Sequence, residues 1–234
     1  MREQAPGEWM SNSTDWKFCD RFEVRGVDDD GHVANYVETE QLVMMDSACT
    51  SFLQIRGSVP LFWEQVIITG YAGIISSLQP GVNVGSHKIR IARGPELSAP
   101  AFDRHFSQLA SQYGSVVIIN LLGSNLVGSK GGEATLSTAY QSQQSRSQYQ
   151  DIPHVLWDFH AEGGAKNLDR LESKVCNIVD RLSFLCSPGV DGSGQLQGGV
   201  VRTNCTDCLD RTNAVQMWLG RTKAGDQSIH HPLL

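Results

Sequence analysis

The run Val116-Val-Ile-Ile-Asn-Leu-Leu122 stands between Gly114 and Gly123 with a single polar member. A strand with one wet face alternates apolar and polar side chains, so a nearly unbroken apolar run predicts a strand covered on both sides. Helical patterns flank it. Ser98-Ala-Pro-Ala-Phe-Asp-Arg-His-Phe106 offers an N-cap with Pro near the first turn, and Phe102, Phe106, Leu109 and Tyr113 then recur at helical spacing up to Gly114. Lys166 to Cys186 places Leu168, Leu171, Val175, Ile178, Val179, Leu182 and Leu185 on one helical face.

Val33–Met44 and Thr50–Arg56 are rich in Val, Tyr and Thr and read as strands paired through Met45–Cys49, with a further strand at Val155–Phe159 and a short strand signal at Val200-Val201. Ala134–Gln141 reads as a short helix and Ser142–Gln150 as a Ser/Gln-rich loop. Strands alternating with helices predict an α/β domain with a mixed, largely covered β-sheet flanked by helices.

The 234 residues suit one domain, and 40% hydrophobic against 19% charged residues is ordinary for a folded chain. The first 20 residues show no period and read as poorly ordered. Val66–Leu78, the longest mostly apolar stretch, is broken by Gly and Ser and falls short of the roughly 20 residues that cross a bilayer. The N-terminus lacks the apolar region of a secretory signal, so the expected compartment is the cytoplasm and the six cysteines are expected to be thiols. Nineteen Lys and Arg against 25 Asp and Glu leave −6, which argues against nucleic acid as a partner.

The chemistry is concentrated in Arg202-Thr-Asn-Cys-Thr-Asp-Cys-Leu-Asp-Arg-Thr-Asn213. Cys205 is followed by five residues and then Arg211-Thr212, with a strand signal before and a helix signal after, so a P-loop of the cysteine-phosphatase kind is expected between them. A short loop there can curl so that its amides and the helix N-terminus face one small anion. Asn204, Thr206, Cys208 and Leu209 belong to that cradle as substrate-binding residues. Arg211 brings a planar fork of donors that can hold two phosphate oxygens at once. The reactive form of a cysteine is the thiolate, which a neighbouring cation favours, so Cys205 is the candidate nucleophile. Thr212 is expected to hydrogen-bond the sulfur. The leaving alkoxide needs a proton, for which Asp207 and Asp210 are the local candidates, and sequence does not choose between them.

Cys205-x-x-Cys208 also fits half of a zinc site or a redox dithiol. No second ligand pair stands at zinc spacing, and a dithiol leaves the arginine fork without a purpose.

The same residues resemble the Sac-type phosphoinositide phosphatase family, whose catalytic loop Arg202–Asn213 matches at nearly every position. Arg25–Gln41, Gln54–Gln65, Ala99–Phe106, Asp158-Phe-His160 and Gly163-Gly-Ala-Lys166 agree with the family in the same order. The resemblance implies hydrolysis of phosphate monoesters on inositol-lipid headgroups, with Cys205 as nucleophile, Arg211 as phosphate binder, no metal and no cofactor. It also implies peripheral contact with a membrane. Lys166, with Arg56, His87, Lys88, Arg90, Arg93 and Arg104, is a candidate basic rim for an anionic headgroup.

The chain departs from the family in four places. The resemblance starts near Arg21, where the family carries an N-terminal subdomain, and fails after Leu219, where the family continues into further helices. The 14 residues Val66–Gln79 and a smaller piece, Asn125–Ser129, interrupt the family pattern. The reading is therefore a partial Sac catalytic domain over residues 21–219, followed by a divergent tail, 220–234. A catalytic helix without its family partners would hold its loop loosely. Two alternatives stay open: a truncated, catalytically impaired fragment or binding module, and a cysteine-dependent protein phosphatase.

Overall fold

A computed structural model describes residues 9–12, 25–45, 48–67, 87–124, 131–187, 194–207 and 209–229. Its centre is a seven-stranded mixed sheet. Strands β1 (Trp9–Asn12), β2 (Val37–Met45) and β3 (Ala48–Ser58) pair antiparallel in succession. The strands β2 and β3 form the expected hairpin, with Val37 opposite Arg56 and Met44 opposite Cys49. Strands β4 (Trp63–Ile67) and β5 (His87–Ile91) stand apart as an antiparallel pair. The remaining strands are β6 (Ser115–Asn120), β7 (His154–Leu156), β8 (Leu185–Cys186) and β9 (Gly199–Cys205). The order across the main sheet is β1-β2-β3-β9-β6-β7, with β8 beside β3. From β3 to β7 the neighbours run parallel, which brings Ser58 opposite Cys205 and Asn120 opposite Asn204 at one edge.

Among the described residues, four α-helices cover the two faces: α1 (Pro95–Tyr113), α2 (Gly131–Gln144), α3 (Asp169–Val179) and α4 (Asp210–Ile229). The alternation along β6 divides the core. Val117 and Ile119 join Val201, Phe52, Leu171, Val175, Val215 and Leu219 in one cluster, under α3 and α4. Val116 and Ile118 join Val200, Ile55, Phe102, Phe106, Leu136 and Tyr140 in the other, under α1 and α2. Every residue of β9 is buried, as a central strand with both neighbours parallel requires.

Helix α2 outruns the expected Ala134–Gln141 at both ends and takes in Ser142–Gln144 of the expected loop, and three further elements differ from the periodicity. Helix α1 begins at Pro95, ahead of the expected Ser98 cap, because Pro at the first helical position has its φ preset and no N–H to leave unbonded. Ser98 is buried inside the helix and Pro100 lies within it. The long helix expected over Lys166–Cys186 is broken into pieces: a 3₁₀ turn at Gly164–Asn167, α3, and a second 3₁₀ turn at Asp180–Leu182. Ser183 then takes φ 58°, a left-handed conformation that ends helical progression and turns the chain into β8. Leu185 accordingly lies exposed in an edge strand. The strand expected over Val155–Phe159 is His154–Leu156, because Asp158 already belongs to a turn, where it accepts the His160 and Ala161 N–H groups.

Helix α4 runs through Gly220 to Ile229, and it has partners within the chain. Val215 and Leu219 sit in the cluster that holds Leu168, Leu171 and Val175, and the buried Lys223 ammonium pairs with Asp180. Of the Val66–Gln79 segment, Val66 and Ile67 extend β4 opposite Lys88 and His87. The rest of that segment and Asn125–Ser129 lie outside the described residues.

Candidate active site

The parallel strands β3, β9, β6 and β7 end at the same edge of the sheet, where ligands of open α/β sheets bind. Strand β9 carries Asn204 and Cys205 to that edge, and α4 starts at Asp210, so the connection between them is a few residues long. Cys205 is a buried free thiol. Its Sγ lies 3.9 Å from Oδ1 of Asp207, which also accepts the Leu209 N–H at 3.3 Å. The Asn204 carbonyl accepts the Leu121 N–H at 3.0 Å, tying the end of β9 to the segment that follows β6.

Arg211, in the first turn of α4, reaches back over this connection. Its Nη2 donates to Thr206 Oγ1 at 2.8 Å, and the Glu133 carboxylate takes one N–H from each η nitrogen at 2.9 Å. Nη1 also faces the Leu121 carbonyl at 3.4 Å. Burial opposes the guanidinium charge, but the Glu133 hydrogen bonds and the nearby Cys205, Glu133 and Asp207 outweigh it and raise the Arg211 pKa. Glu133 sits in the first turn of α2 and accepts the Gly123 N–H at 2.9 Å as well. One carboxylate therefore joins the loop after β6 to the arginine of the signature.

The structure brings Cys205, Thr206, Asp207, Leu209 and Arg211 together in this one connection. Asp210 is exposed as the first residue of α4. The Thr212 hydroxyl is buried and has no hydrogen-bond partner among the described residues, so the expected bond to the Cys205 sulfur is not formed: a side chain one residue past Arg211 on the helix faces the interior beneath α4. Cys208 lies outside the described residues. Lys166 is exposed on the 3₁₀ turn Gly164–Asn167 that packs against α4. Much of the candidate basic rim is engaged elsewhere. Arg90 pairs with Glu64, Arg93 pairs with Asp29 and stacks 3.8 Å over Phe62, and Arg104 donates to the Asp29 carbonyl. Arg56 donates to the Asn213 side chain, one turn into α4 beside the signature.

Asp158 braces the neighbouring strand end. Its carboxylate accepts both the backbone N–H and the hydroxyl of Ser124 as well as the His160 and Ala161 N–H groups. Burial acts against its charge, but these four donors hold its carboxyl below the ordinary range. Glu133 is the residue that sequence reasoning missed. It is 78 positions from Arg211, and nothing in its local pattern marks its partner.

Among the described residues, one group brings three potential metal ligands together, the exposed Asp28, Asp30 and His32. There Asp28 accepts the backbone N–H groups of the other two and closes its own turn. No described helix is long and apolar enough to cross a membrane.

The model of the SacI homology domain matches residues 17–163. Synaptojanin-1 of Rattus norvegicus is 47% identical over 203 residues, covering 86% of this chain and 12% of its own length. Synaptojanin-2 of Homo sapiens is 44% identical over 204 residues, covering 85% of this chain and 12% of its own. Phosphatidylinositide phosphatase SAC2 of Danio rerio is 37% identical over 203 residues, 86% of this chain and 16% of its own. The chain thus spans about an eighth of the synaptojanins it matches. With a family model matched over more than half its residues and identities well above the level at which folds diverge, this chain belongs to the SacI homology domain family.

Proposed function

We propose that this chain is a phosphoinositide phosphatase that removes phosphate monoesters from inositol-lipid headgroups through a phosphocysteine, in the cytoplasm and in peripheral contact with membranes. The observation that carries the reading is the pairing across the β9–α4 connection. A buried thiol ends the strand, and the arginine of the next helical turn reaches back to Thr206, beside that thiol. The name of the zebrafish relative, a phosphatidylinositide phosphatase, supports the substrate class.

In this mechanism amides of the β9–α4 connection and the Arg211 fork hold the phosphoryl oxygens, while the Cys205 thiolate attacks phosphorus. The S–P bond forms as the P–O bond to the inositol breaks, and the leaving alkoxide takes a proton from Asp207, the carboxyl beside the sulfur. Water then attacks phosphorus, gives its proton to the Asp207 carboxylate, and releases inorganic phosphate and the thiolate. Arg56, which donates to Asn213 within α4, and Lys166 serve in this reading as contacts for further headgroup charge.

The test is phosphate release from short-chain phosphatidylinositol monophosphates and from phosphotyrosine peptides, by the chain, by Cys205→Ser and by Arg211→Ala. Turnover of the lipid that both substitutions abolish supports the reading. Activity that survives Cys205→Ser removes the phosphocysteine, and preference for the peptide makes the chain a protein phosphatase. A cooperatively folding chain without turnover is a binding module or an impaired fragment.

A further inference from the structure

We propose that Glu133 is a positioning residue, which sets the orientation of the Arg211 guanidinium for a phosphate monoester. The inference rests on Arg211 as the phosphate binder and adds the group that aims it.

A guanidinium offers two bidentate edges, one made by its two η nitrogens and one made by Nε and a single η nitrogen. Glu133 occupies the first, with Oε2 on Nη1 and Oε1 on Nη2, each at 2.9 Å. The edge made by Nε and Nη2 is the one a phosphate can take, with Thr206 Oγ1 yielding its Nη2 hydrogen to a phosphate oxygen. On that edge the second Nη2 hydrogen meets Thr206 Oγ1 at 2.8 Å, inside the signature, and among the described residues Nε has no hydrogen-bond partner.

An arginine side chain has several rotatable bonds, and a fork that is free to turn loses entropy on each binding event; a fork already clamped along one edge does not. The clamp is itself fixed. Glu133 belongs to α2, accepts the Gly123 N–H through Oε2, and is largely shielded from solvent, as is Arg211, with 17% and 12% of the side chains exposed. Carboxylate and phosphate therefore do not compete for one edge. They take two adjacent edges of the same cation, which share only Nη2.

The sign of the effect separates positioning from simple charge. Glu133→Gln keeps the size of the side chain but removes a negative charge close to the phosphate site, which by Coulomb's law alone tightens binding of an anion. Positioning predicts the reverse, because the amide presents one donor where the clamp needs two acceptors. The measurement is calorimetric binding of short-chain phosphatidylinositol monophosphates to the Cys205→Ser chain, with and without Glu133→Gln, at a temperature where thermal scans show both folded. Binding weaker by about tenfold is the expected result. Unchanged or tighter binding overturns the inference and leaves the proposed function standing. Glu133→Asp is the second variant, deciding the matter should the Gln chain not fold. It keeps the charge but is one methylene too short to span both η nitrogens, so it too is expected to bind more weakly, and binding equal to the parent overturns the inference. A Cys205→Ser chain that folds and binds none of these lipids overturns the proposed function, and this inference with it.

Discussion

Arg202 donates from Nε to Nε2 of His105 across 3.0 Å, and both side chains are buried. The other imidazole nitrogen, Nδ1, faces the Gly31 carbonyl at 2.8 Å, so Nδ1 carries the proton and Nε2 is the acceptor. This pair joins the strand of the signature to α1 and, through Gly31, to the turn that precedes β2. Replacing His105 with Leu deletes the acceptor and leaves a buried guanidinium N–H unbonded, a loss of about 2–4 kcal/mol. The expected outcome is a large drop in Tm, and a Tm within a degree or two of the parent would refute the coupling.

The histidines also give the stability a pH dependence. Burial, and for His105 the Arg202 charge, hold His105 well below 6.5, and burial alone brings His154 down to about 4. As pH falls through 6.5 the unfolded chain takes up protons that the folded chain refuses. Stability is therefore full above 6.5 and declines as pH falls, for His154 until about pH 4, below which both states are protonated there. Each such histidine contributes a slope of up to about 1.4 kcal/mol per pH unit. His154→Phe removes one of them, so the Tm of the variant should fall less steeply than that of the parent between pH 6.5 and 4. Parallel curves would show that His154 takes up its proton in the folded state.

Gly199 opens β9 where it lies against β6. A Cβ built there would meet the Ser115 carbonyl oxygen at 2.2 Å and the Leu182 side chain at 2.8 Å. The oxygen belongs to the neighbouring strand and cannot rotate away, so Gly199→Ala must push β9 from β6 at the strand that ends in Cys205. The expected cost is about 2–4 kcal/mol, seen as a lower denaturation midpoint, with the proposed phosphatase activity falling in parallel. An alanine variant as stable as the parent would contradict the register.

The fold was legible where one segment carried its own evidence. The apolar run from Val116 to Leu122 announced a strand with two covered faces, and Phe102, Phe106 and Leu109 announced the helix above it. What escaped was set by backbone geometry or by distance along the chain. Leu182 and Leu185 keep helical spacing with Val179, and periodicity has no means of registering that Ser183 between them turns left-handed. The candidate site divides in the same way. Cys205 and Arg211 declare themselves by spacing, whereas Glu133 becomes visible only once α2 is laid beside the end of β6, and the inward turn of Thr212 only once α4 is docked.

The proposed mechanism takes Asp207 as proton donor on geometry that sequence left open. Asp207 and Asp210 stand equally near Cys205 in the sequence, but Asp207 Oδ1 lies 3.9 Å from Sγ, while Asp210 is exposed as the first residue of α4. In the proposed mechanism the donor belongs to the connection that would hold the phosphoryl group, and of the two carboxyls Asp207 is the one that lies beside Cys205 in it. An acidic residue at the start of a helix has a sufficient structural reason in the helix dipole. Asp207→Asn is therefore expected to lower kcat by about 10²–10⁴ on lipids with a poor leaving group, and far less on an activated aryl phosphate, whose leaving group needs no proton. Asp210→Asn should stay within a few fold on both substrates. A reversal, with Asp210→Asn the crippled variant and Asp207→Asn close to the parent on lipid, would move the acid to the helix start and require that residue to swing over the sulfur when substrate binds.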